Sequence, residues 1–213
     1  MNRKMRIRFF RYIHFNGFYY LRRMADFNTD VEACLEVLRA GGIILYPTDT
    51  VWGIGCDATN TEAVEKVKQL KQRPDEKGMI VLVADFRDVL EYVAAPDPGV
   101  EEYLATVSKP TTVIFQNAIG LPENVTAADG SVGIRVIDEV FCKHLIKRLR
   151  TPLVSTSANF ADEKAPDSYR EISPDIIKGV DYVVKYRQEE DISFLPSAVV
   201  KMNVDGSFSV IRP

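Results

Sequence analysis

The stretch LYPTDTVWGIGCDA, residues 45–58, determines how the first part of this chain folds. An apolar run stops at Pro47, and proline cannot donate a hydrogen bond inside a sheet. Three small polar residues follow it, Thr48, Asp49 and Thr50. Because ligands of open α/β sheets bind just outside strand ends, hydroxyl groups at this position favour a binding site.

The rest of the chain alternates between short apolar runs, which favour strands, and segments with helical spacing. For example, Val31, Cys34, Leu35 and Leu38 share one helix face after the capping residues 28–30. Predicted strands are 43–46, 79–83, 111–115, 132–136, 152–159, 181–186 and 197–202, with a hairpin turn at 205–206. Predicted helices run from 31 to the glycines 41–42, from the caps 59–61 to Pro74, over 85–107 with an interruption at 95–99, and over 138–149.

This order of elements predicts one α/β domain over residues 24–213. No Ser-, Gly- or Pro-rich linker, internal repeat or low-complexity segment divides it. The 213 residues are 46% hydrophobic and 27% charged, which is typical of globular proteins. No apolar run approaches the roughly 20 residues that a membrane span needs.

The charge is distributed unevenly, with a basic N-terminal extension over residues 1–23. Seven of the 27 bases and no acid lie there, so 20 bases face 30 acids in the remainder, a net charge of −10. Three interpretations are open: an arm that binds nucleic acid, a targeting peptide without a clear cleavage site, or translated upstream sequence before a natural start at Met24. We expect the extension to be disordered or non-native and assign it no function.

The cysteine and histidine content argues against several kinds of site. Cys34, Cys56 and Cys142 are odd in number and far apart, which favours buried free thiols over disulfides or a zinc site. With only two histidines, His14 and His144, neither a histidine triad nor a histidine-rich metal site is expected. We therefore expect no metal ligands among the side chains.

Polar side chains cluster where several predicted elements end. They are Thr48-Asp49-Thr50, Lys71 with Arg73, Thr111-Thr112, Arg135, and Ser155-Thr156-Ser157-Ala158-Asn159. Each alone has an ordinary structural explanation, because threonines form turns and cations suit helix C-termini. Arg135 is different, since a guanidinium inside an apolar strand needs an anion or several acceptors. A structural ion pair and a ligand anion are both open for it.

Several common catalytic motifs are absent from the sequence. It contains no activated serine elbow, GxxxxGK[ST] loop, GxGxxG loop or HExxH pair. The cations, hydroxyls and amide that remain suit an anionic substrate whose reaction needs alignment and charge stabilisation instead of a protein nucleophile. Nucleotidyl transfer is a reaction of this kind.

Seven motifs follow one another in a fixed order: GGIILYPTDTVWGIGCDA (41–58), LKQRP (70–74), KPTTVIF (109–115), SVGIRV (131–136), PLVSTSAN (152–159), LPSAVVKM (195–202) and VIRP (210–213). In this set the chain resembles the YrdC-like domain family, the threonylcarbamoyl-AMP synthases, in their short single-domain form. The resemblance implies a twisted, open, mixed β-sheet with flanking helices around a concave, positively lined cavity.

The resemblance also implies an activity. The family forms L-threonylcarbamoyl-adenylate and pyrophosphate from L-threonine, bicarbonate and ATP, with Mg2+ accompanying the ATP. A carbamate of threonine attacks the α-phosphorus, and no residue forms a covalent intermediate. This is the first step toward N6-threonylcarbamoyladenosine at position 37 of tRNA, and a separate transferase complex in the cytoplasm takes the adenylate onward.

Position within the motifs implies the site residues. Lys71 and Arg73 are implied as catalytic cations at the ATP phosphates. Threonine and bicarbonate are implied to bind at Thr48, Thr50, Arg135 and Ser155. The rest of the ATP site is implied to be Thr112, Ser157, Asn159, Ser197 and Arg212. The strand then ends at Pro47 so that the two threonines face a ligand, and the glycines 53 and 55 let the backbone pass close to it.

The chain departs from the family pattern at several positions. Leu82 stands where the family often has a histidine that contacts threonine, and Trp52 stands where tyrosine is common. The segment FADE follows Asn159 in place of Ser-Gly, and Ala198 replaces a threonine. Of these differences, Leu82 puts the fine geometry of the threonine site in question.

Two other functions are open from the sequence. A double-stranded RNA- or tRNA-binding module would use the basic concave face without chemistry, and salt-dependent RNA binding without ATP turnover would indicate it. A regulatory or ribosome-assembly protein of the same fold would bind nucleotide without needing threonine. Leu82 makes such a loss of synthase activity a specific alternative.

Overall fold

The computed structural model describes residues 27–72, 78–190, 195–203 and 205–213. The helices within these ranges are α1 (27–39), α2 (Thr61–Lys71), α3 (Gly99–Thr106), α4 (Val140–Leu149) and α5 (Pro174–Lys178). The strands are β1 (Ile44–Tyr46), β2 (Gly53–Gly55), β3 (Ile80–Val83), β4 (Thr111–Phe115), β5 (Val132–Val136), β6 (Leu153–Ser157), β7 (Tyr182–Val183), β8 (Ala198–Met202) and β9 (Phe208–Arg212). None of the helices in these ranges is both long and apolar enough to cross a membrane.

The nine strands form one sheet in the order β7-β1-β2-β6-β3-β5-β4-β8-β9. The sheet is mixed, because β1–β7, β3–β5 and β4–β8 are parallel while the other neighbouring pairs are antiparallel. It is open, with β7 and β9 at its edges. The predicted open mixed sheet with flanking helices is confirmed.

The helices bury their apolar sides against the sheet. In α1, Val31, Leu35 and Leu38 are all at most 2% exposed, as the spacing predicted. Burial of a side chain of this size contributes about 1.5–3 kcal/mol to stability. The three cysteines are buried free thiols, also as predicted. Burial raises the pKa of each thiol, so all three stay protonated at neutral pH.

The two predicted helix caps have different outcomes. Asn60 caps α2 as predicted, because its side chain accepts a hydrogen bond from Ala63 N at 3.0 Å. The caps at 28–30 are wrong, since α1 already includes residue 27. Asp30 instead lies buried and accepts bonds from the Tyr182 hydroxyl at 2.6 Å and from Lys185 N and Tyr186 N.

The glycine-containing part of the opening stretch is a strand that the sequence did not predict. Gly53–Gly55 forms β2, which pairs antiparallel with β1 on one side and β6 on the other. At Gly55 an added Cβ would lie 2.1 Å from Val154 O and 2.8 Å from the Tyr46 ring. This glycine therefore accommodates a neighbouring strand and ring, and its predicted role beside a ligand stays a prediction.

Two predicted elements are shorter than expected. The helix over 85–107 is a 3-10 turn at Phe86–Glu91 followed by α3. The strand over 181–186 is reduced to Tyr182–Val183, because the chain beyond it bends to give two backbone amides to Asp30. The hairpin turn at 205–206 is confirmed, since it joins the antiparallel strands β8 and β9.

Candidate functional site

Strand register places the predicted polar residues on one face of the sheet. Ile80 is opposite both Gly133 and Ser155, and Leu82 is opposite Arg135. Opposed residues share a face, and side chains alternate along a strand. Arg135 and Ser155 therefore point to the same side, although they are 20 positions apart in sequence and the helix α4 lies between their strands.

A cavity of about 170 Å³ opens on this face. Six of the predicted site residues lie in its lining: Thr50, Arg135, Ser155, Ser157, Ser197 and Arg212. Gly53, which was predicted to let the backbone pass close to a ligand, and Thr156 of the predicted polar cluster also line it. The other lining residues, which the sequence did not indicate, are Val51, Met79, Ile80, Ala165 and Pro196. Two guanidinium groups and no carboxylate occur among the described lining residues, so the cavity suits an anion.

Arg135 is held from behind and faces the cavity. Its Nη2 lies 3.2 Å from Asp49 Oδ1, and the Arg135 side chain is only 5% exposed. Among the described residues, nothing accepts a hydrogen bond from its Nε. A buried guanidinium donor without an acceptor is costly, so a ligand oxygen is the expected partner. Arg135 can therefore pair with Asp49 and bind a ligand anion at the same time, so the two interpretations that the sequence left open are compatible.

The position of Asp49 was missed as a site feature. Its carboxylate also accepts a hydrogen bond from Asp138 N at 3.2 Å, which ties the turn after β1 to the start of α4. Two signals in the sequence could have identified it. Asp49 stands between two threonines, and the chain carries an arginine inside a predicted strand. A buried arginine needs a carboxylate partner, and Asp49 lies three residues after the predicted strand 43–46.

The two threonines of the opening stretch have different roles. Thr48 Oγ1 donates to Val51 O at 2.7 Å and accepts from Thr50 N at 3.0 Å. A hydroxyl has one proton, so Thr50 Oγ1 must donate in its 3.0 Å contact with Thr48 Oγ1. Thr50 thus presents acceptor lone pairs to the cavity. Thr48 is not in the lining, because its hydroxyl is used within the turn.

The opposite side of the cavity is built by the C-terminal hairpin. Arg212 donates to Ser197 O through Nε at 3.2 Å and Nη2 at 3.0 Å. Burial lowers the pKa of the Arg212 guanidinium, and repulsion from Arg135 lowers it further. Thr112 is not in the lining, because its hydroxyl is 3.0 Å from Ser197 Oγ and lies behind that residue.

Lys71 and Asn159 are also absent from the cavity lining. The Lys71 ammonium donates to the carbonyl oxygens of Ser157 and Asn159, each at 2.5 Å, and its residue is 2% exposed. The Asn159 amide donates to Phe160 O and Glu163 O and closes the turn after β6. In this conformation both residues shape the segment that carries Ser157, and their predicted contacts with ATP stay predictions.

The sequence also singled out Arg73, Leu82 and Trp52. Arg73 lies outside the described residues, so its predicted role stays a prediction. Leu82 is fully buried between Arg135 and Leu153 and adds no polar group to the face. Trp52 packs its ring 5.1 Å from that of Tyr169, which makes it a support of the chain around the cavity and not part of the described lining.

The chain is similar in sequence to known proteins. The family model Sua5_yciO_yrdC, described as Telomere recombination, matches residues 36–213. Threonylcarbamoyl-AMP synthase of Stenotrophomonas maltophilia (strain K279a) is 35% identical over 157 residues, 72% of this chain and 84% of the relative. The protein of that name from Pseudomonas aeruginosa (strain UCBPP-PA14) is 40% identical over 136 residues, 63% of this chain and 72% of the relative.

Two solved structures share the fold. P. abyssi Sua5 complexed with L-threonine superposes with a TM-score of 0.75 at 20% identity and covers 86% of this chain. This chain spans only 53% of that longer protein. E. coli YciO superposes with a TM-score of 0.71 at 21% identity, covering 85% of this chain and 87% of its own. At these identities the likeness concerns the fold alone.

Proposed function

The chain belongs to the Sua5/YciO/YrdC family, and we propose that it is a threonylcarbamoyl-AMP synthase acting on L-threonine, bicarbonate and ATP. One observation carries the proposal. The described lining of the cavity combines the guanidinium groups of Arg135 and Arg212 with five side-chain hydroxyls and contains no carboxylate. Such a surface suits a carboxylate and phosphates together, which the threonine and ATP substrates supply.

The residues of the cavity suit the steps of this reaction. Bicarbonate takes up a proton and loses water to give CO2, which the threonine amine captures as a carbamate with release of a proton. A carbamate oxygen then bonds to the α-phosphorus while the bond to pyrophosphate breaks. Arg135 and Arg212 offset negative charge in the cavity, and the Thr50 hydroxyl accepts a hydrogen bond from the amino acid. The predicted Arg73 would add a cation at the phosphates.

Mg2+ is proposed to arrive with the triphosphate. Among the described residues, no group of three or more His, Cys, Asp and Glu side chains could hold a metal ion. Asp49, which lies beside the lining residue Arg135, already pairs with it. These residues do not fit a protein-built magnesium site, whereas phosphate oxygens and water are ligands that Mg2+ favours. We assign no step of the reaction to a protein-held metal.

The wider pathway follows from the chemistry of the product. A mixed anhydride of a carbamate with AMP is labile, so a second enzyme must take it promptly. We propose that a separate transferase passes the threonylcarbamoyl group to adenosine 37 of tRNA in the cytoplasm. The alternative is that this chain binds tRNA or double-stranded RNA directly, without synthase activity.

The test of this function is pyrophosphate release from ATP. The full chain is supplied with bicarbonate and L-threonine, and the controls replace threonine by L-serine or omit the amino acid or bicarbonate. We expect release that requires both threonine and bicarbonate. A folded protein that binds nucleotide without such release would contradict the synthase and favour an RNA-binding or regulatory protein of the same fold.

Replacing Lys71 by alanine is expected to lower the rate of pyrophosphate release at least about tenfold, or about 1.4 kcal/mol of barrier. Loss of the ammonium leaves the carbonyls of Ser157 and Asn159 without this donor and loosens the wall that carries Ser157. The matched control is Lys66→Ala in the same helix, because Lys66 donates to Gly41 O away from the cavity. Equal rates for both variants would show that Lys71 serves neither the wall nor the phosphates.

A further inference from the structure

The turn that carries Thr50 is held by a residue 139 positions further along the chain. Arg187 Nη1 donates to the Thr48 carbonyl oxygen at 2.9 Å. The Thr48 hydroxyl in turn accepts from Thr50 N and contacts the Thr50 hydroxyl. A shift of the Thr48 carbonyl would therefore move the hydroxyl that Thr50 presents to the cavity.

Arg187 is itself fixed in place by its surroundings. Its backbone has φ of +68°, a left-handed conformation that is uncommon for residues other than glycine. Its Nε is 2.5 Å from Glu190 Oε2, and its Nη1 is 3.9 Å from Glu139 Oε1. The Arg187 side chain is only 9% exposed. An unusual backbone conformation at a buried, paired cation indicates that the surrounding structure specifies its position.

The segment before Arg187 is anchored to α1. Asp30 Oδ2 accepts from Lys185 N at 3.1 Å and from Tyr186 N at 2.8 Å. The Tyr186 ring packs 5.1 Å from that of Phe27. The segment that carries Arg187 is therefore fixed to α1, and the Arg187 side chain reaches from this segment to the turn that carries Thr50.

We propose that Arg187 is a positioning residue that sets the place of the Thr50 hydroxyl and so the affinity for the amino-acid substrate. It is not in the cavity lining and acts through the Thr48 carbonyl. The part of the proposal that concerns substrate affinity rests on the proposed synthase function. The part that concerns the turn does not, because the contacts exist without any ligand.

The kinetic test compares Arg187→Lys with Arg170→Lys. Lysine keeps the charge beside Glu139 and Glu190 but cannot reproduce the fork that reaches Thr48 as well. Arg170 is a matched control, since it pairs at 3.2 Å with Glu189 and both side chains are mostly exposed. For Arg187→Lys we expect the KM for threonine to rise about tenfold while kcat and the KM for ATP stay within about twofold. Equal KM values for threonine in the two variants would overturn the link to substrate affinity.

A second measurement does not depend on activity. Hydrogen exchange of the segment 48–51 reports the Thr50 amide, which is bonded to Thr48 Oγ1. We expect about tenfold faster exchange there in Arg187→Lys than in the wild type, with the segment 132–136 unchanged. Unchanged exchange at 48–51 would overturn the positioning role. If the wild type releases no pyrophosphate and exchange at 48–51 is still faster in Arg187→Lys, the positioning role stands and the proposed function is rejected.

Discussion

Replacing Arg135 is expected to lower the rate of pyrophosphate release at least about 100-fold, which corresponds to about 2.7 kcal/mol of barrier. Arg135 is the buried cation of the cavity, and its Nε has no acceptor among the described residues. The substrate oxygen that Arg135 binds either gains negative charge during the reaction or is held in place for the attack on the α-phosphorus. Removing a preorganised donor of this kind has a large effect, because water cannot replace it in a buried position.

The experiment must separate the loss of catalysis from the loss of fold. Arg135→Ala alone leaves Asp49 as a largely buried carboxylate without its cation, which is itself destabilising. The double variant Arg135→Met with Asp49→Asn removes both charges and keeps similar volumes. We expect it to remain folded by circular dichroism and still to lose pyrophosphate release. A folded double variant with a wild-type rate would place the substrate anion elsewhere.

Replacing Gly55 by alanine is expected to destabilise the fold by about 3 kcal/mol, with a fall in Tm of about 6–12 °C for a domain of this size. The added methyl group would lie 2.1 Å from Val154 O, far inside the contact distance, and 2.8 Å from the Tyr46 ring. Both groups are buried, and Tyr46 also donates its hydroxyl proton to Val154 O at 3.3 Å. Neither a backbone carbonyl in a paired strand nor a buried ring can move aside easily.

The matched control for this variant is Gly99→Ala. Gly99 begins α3, and an added Cβ there meets only the Asp97 side chain at 3.1 Å and the Met202 side-chain terminus at 3.6 Å. We expect its free energy of unfolding in urea to stay within about 0.5 kcal/mol of the wild type or to rise slightly. If Gly55→Ala were as stable as Gly99→Ala, the close approach of β2 and β6 at this glycine would be contradicted.

The elements that sequence predicted well are those whose signals are local. The strands 111–115 and 132–136 have the predicted bounds, and Asn60 caps α2, because apolar runs and capping residues act on their immediate neighbours. The missed strand β2 shows the limit of such signals. Glycines disfavour strands on average, and only the neighbouring backbone of β6 and the ring of Tyr46 make glycine necessary at position 55.

Sequence by itself determined the fold class, the set of cations and hydroxyls available to the site, and the family resemblance, because these depend on residue types and their order. The tertiary structure alone decided which of them meet. It placed β6 beside β3 and β3 beside β5, so that Ser155 and Arg135 share a face. It directed Lys71 to two carbonyls and brought Arg187 to Thr48. These pairings join residues about 50 to 140 positions apart in several cases, and their selection depends on strand register and burial throughout the domain, which no local pattern contains.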